Sequence, residues 1–541
     1  MSTNRKIAKS VSIISSATMT SRVLGYIRDG LFAGLFGAGF ISDAFLVAYR
    51  IPNLLRDLLA EGALSSAFIP VFTEYLTKEG KESAWRLANL IFNVMLVVLS
   101  VIVIAGIIFS PVIVRVLQWN ISAQSFALTV QLTRTVFPFI AFMALAALMM
   151  GILNSHQDFV ASAFAPAMLN VVMIVTGIFI CPLFGTRPEN QVLGWTIGAL
   201  VGGLAQFLIQ VPSVIKKGWV YKPILDFTDR GVKRIFSLMT PAVFAQSVTQ
   251  INIIVVNTIM AGMLGKAAIT YLYYGNRLMQ LPLGVFAVAI ATATLPMISR
   301  NIAQGELSQA RETYSFALRL AFLITIPATV GMVVLSQPIN CLLFQYGRFL
   351  STDAQATART AILFSLGLFA FSGVKITVPV FYALRDSKTP VKIGVITVIT
   401  NILLGSFLMT KISYYGLALS TSIAATLNFS LLFWSLRKKW GRVHGREIFD
   451  SVLRISGAAL VMAFVCWGVY RGIHSSMADV RVAEKVRQLI EVFSSIGAGI
   501  MAFLLACLLV RVKEIKPLYQ MVAGKIKTIA EAVVGTGPSE G

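Results

Sequence analysis

Long apolar stretches separated by short polar ones run through the whole chain. A helix needs about 20 mostly apolar residues to cross the hydrocarbon core of a bilayer. Fourteen stretches meet this requirement, and the loops between them are too short to form an extramembrane domain. The pattern therefore predicts an all-α polytopic membrane protein with fourteen transmembrane helices. The predicted spans are 10–36, 42–72, 88–117, 124–152, 161–184, 192–215, 234–263, 268–299, 313–345, 354–383, 390–410, 413–436, 449–472 and 486–510.

The composition excludes a set of soluble domains. Of the 541 residues, 57% are hydrophobic and 13% are charged, whereas a soluble domain carries about a quarter charged residues. The four cysteines and three histidines lack the spacing of a disulfide framework or a metal site. The first span contains Arg22, Arg28 and Asp29, unlike the apolar core of a cleavable signal peptide. We therefore expect it to remain as a membrane helix.

The distribution of basic residues predicts the orientation in the membrane. The chain has 46 Lys and Arg against 23 Asp and Glu, a net charge of +23. With a cytoplasmic N-terminus, 28 basic residues fall in cytoplasmic segments and 9 in the opposite loops, as the positive-inside rule requires. We expect both termini to be cytoplasmic. Because topology explains most of the basic excess, it gives no reason to expect a nucleic-acid partner.

Nine further basic residues lie inside the predicted spans, where charges are costly and normally face each other or an aqueous cavity. Snorkelling towards a helix end explains Arg134, Arg319 and Arg359 as well as a cavity does. It explains the arginines of the first two spans poorly, because they outnumber the acids around them. We predict a net-positive cavity that takes an anion, since guanidinium groups match phosphate oxygens. These arginines are Arg22, Arg28, Arg50 and Arg56, and the nearby acids are Asp29, Asp43, Asp57 and Glu61.

The chain also resembles two related halves. An aromatic–basic start and a late proline occur in spans two and eight, at Tyr49-Arg50 and again about 226 residues later at Tyr274 to Arg277. Chance matching of apolar runs is the alternative explanation. Duplicated halves with a site between them are common in secondary transporters. The predicted domains are an N-terminal lobe at 1–218, a C-terminal lobe at 219–440, and a last segment at 441–541 containing spans thirteen and fourteen.

Motifs of common enzyme chemistry are missing from the sequence. It has no P-loop pattern, no HExxH or CxxC pair and no GxSxG elbow. The acids of the first two spans suggest acid/base pairs for sugar chemistry, but their arginine neighbours would hold them ionised. We expect a protein that is not an enzyme and has no cofactor or metal. Na⁺, H⁺ and the membrane potential all remain open as energy sources.

A run of motifs resembles the signature of the MurJ/MviN family, the lipid II flippases of bacterial cell-wall synthesis. The motifs are SRVLGYIRD at 21–29, FGAG at 36–39, SDAF at 42–45, RIPNLLR at 50–56 and AEGALSSAFIP at 60–70. Later matches are YY at 273–274, RLM at 277–279, FQYG at 344–347 and KTPVK at 388–392. The resemblance covers essentially the whole chain.

This resemblance implies the fold of the multidrug/oligosaccharidyl-lipid/polysaccharide exporter superfamily. In that fold two six-helix lobes surround a central cationic cavity, and two C-terminal helices form a groove for a lipid tail. The resemblance also implies transport of lipid II, the undecaprenyl-diphosphate-linked peptidoglycan precursor. Transport would run from the inner to the outer leaflet of the bacterial cytoplasmic (inner) membrane by alternating access. The implied partners are lipid II and membrane lipids, with the cell-wall synthesis machinery as a further candidate.

Site residues follow from the resemblance position by position. It assigns substrate binding to Arg22, Arg28, Asp29, Asp43, Arg56 and Arg277, and gating to Glu61. Some relatives have an acidic residue three places after the span-eight arginine, where this chain has Gln280. Gly25 and Gly30 are candidate bending points of span one between inward- and outward-open states, which makes Gly25 a predicted gating residue; close helix packing is the alternative. Gly37-Ala38-Gly39 predicts a tight turn between the first two spans.

Other functions fit some of these features. A flippase for a different polyprenyl-linked oligosaccharide fits nearly all of them. A drug/cation antiporter fits a cationic cavity poorly, because most of its substrates are cations. A scaffold for cell-wall synthases would not need intramembrane arginines.

Topology provides a first test. In a chain whose four native cysteines are replaced, a single cysteine in loop 437–454 should be protected from a membrane-impermeant maleimide added from the periplasmic side. The basic residues of that loop place it in the cytoplasm. A cysteine at Arg187, on the opposite side, is the positive control. Strong periplasmic labelling of loop 437–454 would overturn the helix count.

Overall fold

The structure, a computed structural model, describes residues 3–58, 64–119, 121–265, 267–441, 443–477 and 483–515. Over these ranges the backbone is helical almost throughout and contains no strand. The prediction of an all-α fold is therefore confirmed for the described residues. Glu61, a predicted gating residue, lies outside them.

Helices up to the middle of the chain follow the first seven predicted spans. They are α1 (Thr3–Phe36), α2 (Phe40–Leu55), α3 (Ser65–Lys78), α4 (Lys81–Ile108), α5 (Ser110–Leu117), α6 (Ala123–Val136), α7 (Phe139–Ser155), α8 (Val160–Val175), α9 (Pro188–Leu208), α10 (Val211–Lys216), α11 (Arg230–Ile254) and α12 (Ala261–Leu264). A π-helical turn and a 3₁₀ turn extend α8 to Phe184, and a π-helical turn joins α11 to α12.

Helices of the second half follow the remaining spans. They are α13 (Ala268–Pro282), α14 (Val288–Ala303), α15 (Leu307–Phe344), α16 (Ser351–Ser365), α17 (Leu368–Ala383), α18 (Lys388–Ile412), α19 (Tyr414–Trp440), α20 (Gly445–Ser476) and α21 (Glu484–Leu509). A π-helical turn at Leu283–Ala287 makes α13 and α14 one continuous segment.

Most of the predicted spans are apolar enough to cross a membrane. Among the described residues, eleven helical segments pass on length and composition, and the pair α16 and α17, bent by 44°, makes twelve. These twelve correspond to predicted spans three to fourteen. Span one and the described part of span two are helical but do not pass. One reason is that α1 contains Arg22, Arg28 and Asp29, and another is that α2 is only 16 residues long.

Contacts along the chain define two compact units. Residues 1–273 with 343–356 form the first, and residues 274–342 with 357–541 form the second. These units do not test the predicted lobe boundaries at 218 and 440, which stay a prediction. In the first unit, α3, α4 and α7 pack around a core that includes Phe68, Phe72 and Leu87. This core holds these three helices together.

The turn between α1 and α2 is as tight as its glycines predict. Gly37 has a φ of +67°, and a Cβ at this position would lie 2.7 Å from the Arg348 carbonyl oxygen. Ser42 Oγ donates a 2.6 Å hydrogen bond to the Gly37 carbonyl. A side chain at Gly37 would therefore clash and strain the backbone at once.

In the second unit, the hairpin α20–α21 packs along α15. Its core includes Leu335, Met462 and Phe503. Polar contacts fix it at both ends. Lys485 Nζ donates to the Cys341 carbonyl at 2.8 Å, and Arg319 Nη1 lies 3.1 Å from Glu514 Oε1. Arg319 of α15 thus has a carboxylate partner beyond the end of α21.

Gly499 sets the spacing of α20 and α21, which provides a stability test. A Cβ there would lie 2.2 Å from Cys466 Sγ, and overpacking of this kind costs about 1–3 kcal/mol. Gly499→Ala should therefore lower the melting temperature of the purified protein, and adding Cys466→Ala should restore it. Gly497→Ala, where a Cβ meets nothing within 4 Å, is the matched control. An unchanged melting temperature for Gly499→Ala would contradict this packing.

Candidate functional site

Arg28 and Asp29 form an ion pair inside α1. The Nη2 and Nε atoms of Arg28 donate to the same oxygen, Asp29 Oδ1, at 2.6 and 3.0 Å. Both side chains are largely shielded, with 13% and 4% of their surface exposed. A shielded charge is stable only when it is paired and hydrogen-bonded. Asp29 therefore accounts for the presence of Arg28 in the middle of a membrane helix.

Arg56 and Asp57 repeat this arrangement at the end of α2. Arg56 Nη2 and Nε donate to Asp57 Oδ1 at 2.8 and 3.2 Å. This pair is more open than the first, with 20% and 29% of the side chains exposed. On the other oxygen of Asp57, Gln250 Nε2 of α11 donates at 3.4 Å. The first unit thus contains two adjacent-residue Arg–Asp pairs.

Two further arginines of these helices, Arg22 and Arg50, are half-buried. Arg22 lies on α1 and Arg50 on α2, and neither forms an ion pair with a carboxylate of the described residues. Arg22, Arg28, Arg50 and Arg56 therefore outnumber the two paired aspartates. The described part of these two helices keeps the net positive charge that the sequence predicts.

Two tyrosines join the arginines. Tyr49 of α2 lies within electrostatic range of both Arg28 and Arg56. Tyr273 of α13 interacts in the same way with Arg28 and Arg50. These interactions place Arg28, Arg50 and Arg56 in one basic cluster near two hydroxyl groups, which suits an anion that also carries hydrogen-bonding groups.

Asp43, in the first turn of α2, binds the start of another helix, α13. Its Oδ1 atom accepts hydrogen bonds from the Thr270 backbone N–H at 2.9 Å and from Thr270 Oγ1 at 2.6 Å. Thr270 is the third residue of α13, so its N–H has no partner within that helix. A buried carboxylate of α2 therefore caps α13, where the helix dipole also favours a negative charge.

A cavity of about 520 Å³ lies beside this cap. Its walls come from the turn after α1, the loop after α5 and the start of α13, all of which are predicted to face the periplasm. Tyr271 closes one side, and its hydroxyl donates to Asp353 Oδ1 at 2.7 Å. The polar lining residues are Asp43, Gln118, Ser122, Ser125, Thr129 and Tyr271.

The glycines of α1 do not interrupt the helix. The helix runs from Thr3 to Phe36 without a break, through a buried Gly25. At Gly30 a Cβ would lie 2.7 Å from the Leu343 carbonyl oxygen. Close packing therefore explains Gly30, and the gating role of Gly25 stays a prediction.

Arg277 belongs to the second unit. It is half-buried on α13, whereas Gln280, at the position that is acidic in some relatives, is exposed. Of the other cations inside predicted spans, Arg134 is exposed and donates from Nε to Ser110 Oγ at 3.0 Å. Arg359 and Lys375 are also exposed.

The structure gathers Arg28, Asp29 and Arg56 in the first unit with Tyr49 and Tyr273. It engages Asp43 with Thr270. The sequence analysis missed Thr270 and Tyr271, which have no distinctive motif. It also missed the pairing of each arginine with the next residue, because adjacent side chains on a helix project in different directions.

Comparisons with known proteins agree on one family. Residues 32–481 match the family described as lipid II flippase MurJ. A Vibrio cholerae protein named as a probable lipid II flippase MurJ is 34% identical over 525 residues, covering 95% of this chain and 98% of that protein. The Burkholderia cenocepacia lipid II flippase MurJ is 35% identical over 456 residues, covering 83% and 87%.

Solved structures give the same result. A lipid II flippase MurJ in an inward closed conformation superposes with a TM-score of 0.75 at 28% identity, over 92% of this chain and 98% of that one. An inward-facing multidrug resistance MATE transporter of the MOP superfamily has a TM-score of 0.68 over 81% and 99%, at 15% identity. The second match shows the fold alone.

The helical fold and the intramembrane ion pairs define a multi-pass membrane transporter. The chain belongs to the MurJ family of lipid II flippases, which confirms the resemblance seen in the sequence. Membership of a flippase family also confirms the expectation that the protein is not an enzyme.

The cap on α13 can be tested directly. Asp43→Ala removes the acceptor of two hydrogen bonds and should loosen the start of α13, since losing such a cap costs about 0.5–2 kcal/mol. A cysteine at Ser125, which lines the cavity, should then react faster with a periplasmic maleimide in an otherwise cysteine-free chain. Asp43→Asn keeps an acceptor oxygen and should react at an intermediate rate. Equal rates in all three chains would contradict the cap.

Proposed function

We propose that this chain translocates lipid II from the inner to the outer leaflet of the cytoplasmic membrane, for peptidoglycan synthesis. The Arg–Asp pairs of α1 and α2 are the observation that carries the proposal. They hold positively charged groups ready inside the membrane, where a diphosphate needs them. The named activity of the relatives supplies the identity of the lipid.

Exchange of anions is the proposed binding step. In the structure each of Arg28 and Arg56 holds one oxygen of its neighbouring aspartate. A diphosphate oxygen can replace that carboxylate oxygen, so the guanidinium group keeps an anionic partner throughout. Charge-assisted hydrogen bonds of this type contribute about 1.5–3 kcal/mol each. The proposed substrate contacts are Arg22, Arg28, Asp29, Asp43, Arg56 and Arg277.

The proposed architecture follows the family plan. It has fourteen membrane helices, with lobes at 1–218 and 219–440 around a cationic cavity, and both termini in the cytoplasm. The last two helices, α20 and α21, would guide the polyprenyl tail. Their outward faces are strongly apolar, and Phe464 and Leu509 are 73% and 84% exposed. We assign no cofactor to this process.

Alternating access requires contacts that differ between the two states. The Asp43–Thr270 cap is one candidate, because α2 belongs to the proposed first lobe and α13 to the second. It lies at the predicted periplasmic end of both helices. Opening towards the periplasm would break this cap, and closing would restore it. The cap would thus favour the outward-closed state until substrate binding offsets it.

Charge-neutral double variants test the arginine clamp. Arg28→Ala alone leaves Asp29 shielded and unpaired, so it is expected to impair folding as well as binding. Arg28→Gln with Asp29→Asn removes both charges together, and should keep the melting temperature while reducing lipid II binding at least about tenfold. Arg28→Lys should bind weakly, because lysine lacks the planar fork. The same series applies to Arg56 and Asp57.

The matched control is Arg134→Gln, which removes an exposed arginine that is outside the cluster. It should bind lipid II as the parent does. Normal binding by the charge-neutral variants would refute the clamp, whatever their stability.

A further inference from the structure

The segment between α10 and α11 is extended and lies against α4. It joins the two proposed lobes and has the bounds 217–229. Two asparagines of α4, Asn89 and Asn93, are spaced one helical turn apart and are 1% and 7% exposed. Both side chains turn towards this segment. We call residues 219–224 the strap.

Asn89 uses its full hydrogen-bonding capacity here. Its Oδ1 atom accepts from Trp219 Nε1 at 3.0 Å and from the Lys222 backbone N–H at 3.2 Å. Its Nδ2 group donates to the carbonyl oxygens of Val220, at 2.9 Å, and Trp85, at 3.1 Å. An asparagine has two donors and an acceptor oxygen with two lone pairs, and all are occupied.

Asn93, one turn further along α4, binds the backbone of the strap in the same way. Its Nδ2 group donates to the carbonyl oxygens of Lys222 at 2.8 Å and Ile224 at 2.9 Å. The aromatic rings of Phe92, Trp219 and Tyr221 pack beside it, with centroid distances of 5.6 to 6.3 Å. Side-chain amides therefore satisfy the backbone of an extended segment that has no strand partner among the described residues.

The position of Asn89 and Asn93 along α4 indicates how deep the strap lies. Arg86 is the last charged residue of α4, and Asn93 follows it by seven residues, which is about 10 Å along a helix. The strap thus runs beside the apolar part of a membrane helix. Non-helical backbone is tolerated at such depth only where protein groups satisfy it, as the two asparagines do.

The outer face of the strap is apolar. Val220 and Tyr221 are 65% and 50% exposed, and Leu225 just beyond is 51% exposed. The segment 216–234 that contains this face also has six basic residues: Lys216, Lys217, Lys222, Arg230, Lys233 and Arg234. Two of them have carboxylate partners, since Lys217 pairs with Asp158 and Arg234 with Glu74. An apolar face within a basic segment matches acyl chains beneath anionic headgroups.

We propose that the strap is inserted in the inner leaflet, with its apolar face against lipid acyl chains, and that Asn89 and Asn93 hold it there. This inference does not depend on which lipid the protein transports. It makes the connection between the proposed lobes a fixed element. Asp229 caps α11 by accepting a 2.8 Å hydrogen bond from the Gly231 N–H. Only residues 225–228 therefore lie between the strap and this cap.

A nitroxide spin label at Val220 tests the proposal in the full chain, with the native cysteines replaced and the protein reconstituted in vesicles containing anionic lipid. The label should collide readily with oxygen, which partitions into acyl chains, and poorly with a water-soluble nickel chelate. Replacing both Asn89 and Asn93 with leucine should lower the oxygen-to-nickel accessibility ratio at least about tenfold, since each lost hydrogen bond weakens the attachment about fivefold.

Two controls make the result specific. Asn301→Leu, on α14, removes a half-buried asparagine elsewhere and should leave the ratio unchanged. A label at Thr228, exposed beyond the strap, should favour nickel in every chain. A label at Val220 that favours nickel in the parent would overturn the lipid contact. The melting temperature shows whether the double leucine variant is folded. An unchanged oxygen-to-nickel accessibility ratio in the folded variant would overturn the role of the asparagines.

Discussion

The cost of holding guanidinium groups inside a bilayer constrains the rest of this molecule. Arg28 and Arg56 exist there because each has an aspartate as its next residue and binds one oxygen of it. The pairs keep the helices stable without substrate. A ligand must therefore bind the two arginines more strongly than the neighbouring aspartates do. An isolated monoanion offers little beyond the resident carboxylate, whereas a diphosphate brings more charge and more acceptor oxygens. The proposed selectivity for diphosphate-linked lipids would follow from this competition.

Polar side chains at helix ends provide partners for a second set of polar groups, those of the backbone. Backbone groups that end near or within the membrane need partners, and the few carboxylates of this chain supply many of them. Asp43 caps α13 and Asp229 caps α11. Outside the spans, hydrogen bonds from Lys439 and then Thr389 hold the pKa of Asp386 to about 2, at the start of α18. Asp43, which the sequence suggests as a substrate contact, thus also serves as a helix cap.

The sequence was sufficient to predict the helices and the basic cluster, because hydrophobic length and charge placement are local properties. The helices α1 and α2 were also predicted, although Arg22 and Arg28 make α1 too polar for a simple apolar criterion. Partners that are distant in the chain could not be predicted. Nothing near Asp43 points to Thr270, 227 residues away, and Asn89 gives no sign that it will bind a loop 131 residues later. Such pairings depend on tertiary packing rather than on local pattern.

Recognition of the diphosphate by the paired arginines is the central claim, and reconstitution with defined lipids tests it most directly. The purified protein would be placed in vesicles with lipid II, or with an undecaprenyl lipid that carries a sugar on a single phosphate, and the appearance of headgroup in the opposite leaflet would be measured. We expect lipid II to be translocated and the monophosphate lipid to be left largely behind. Equal translocation of both lipids would contradict recognition through the diphosphate.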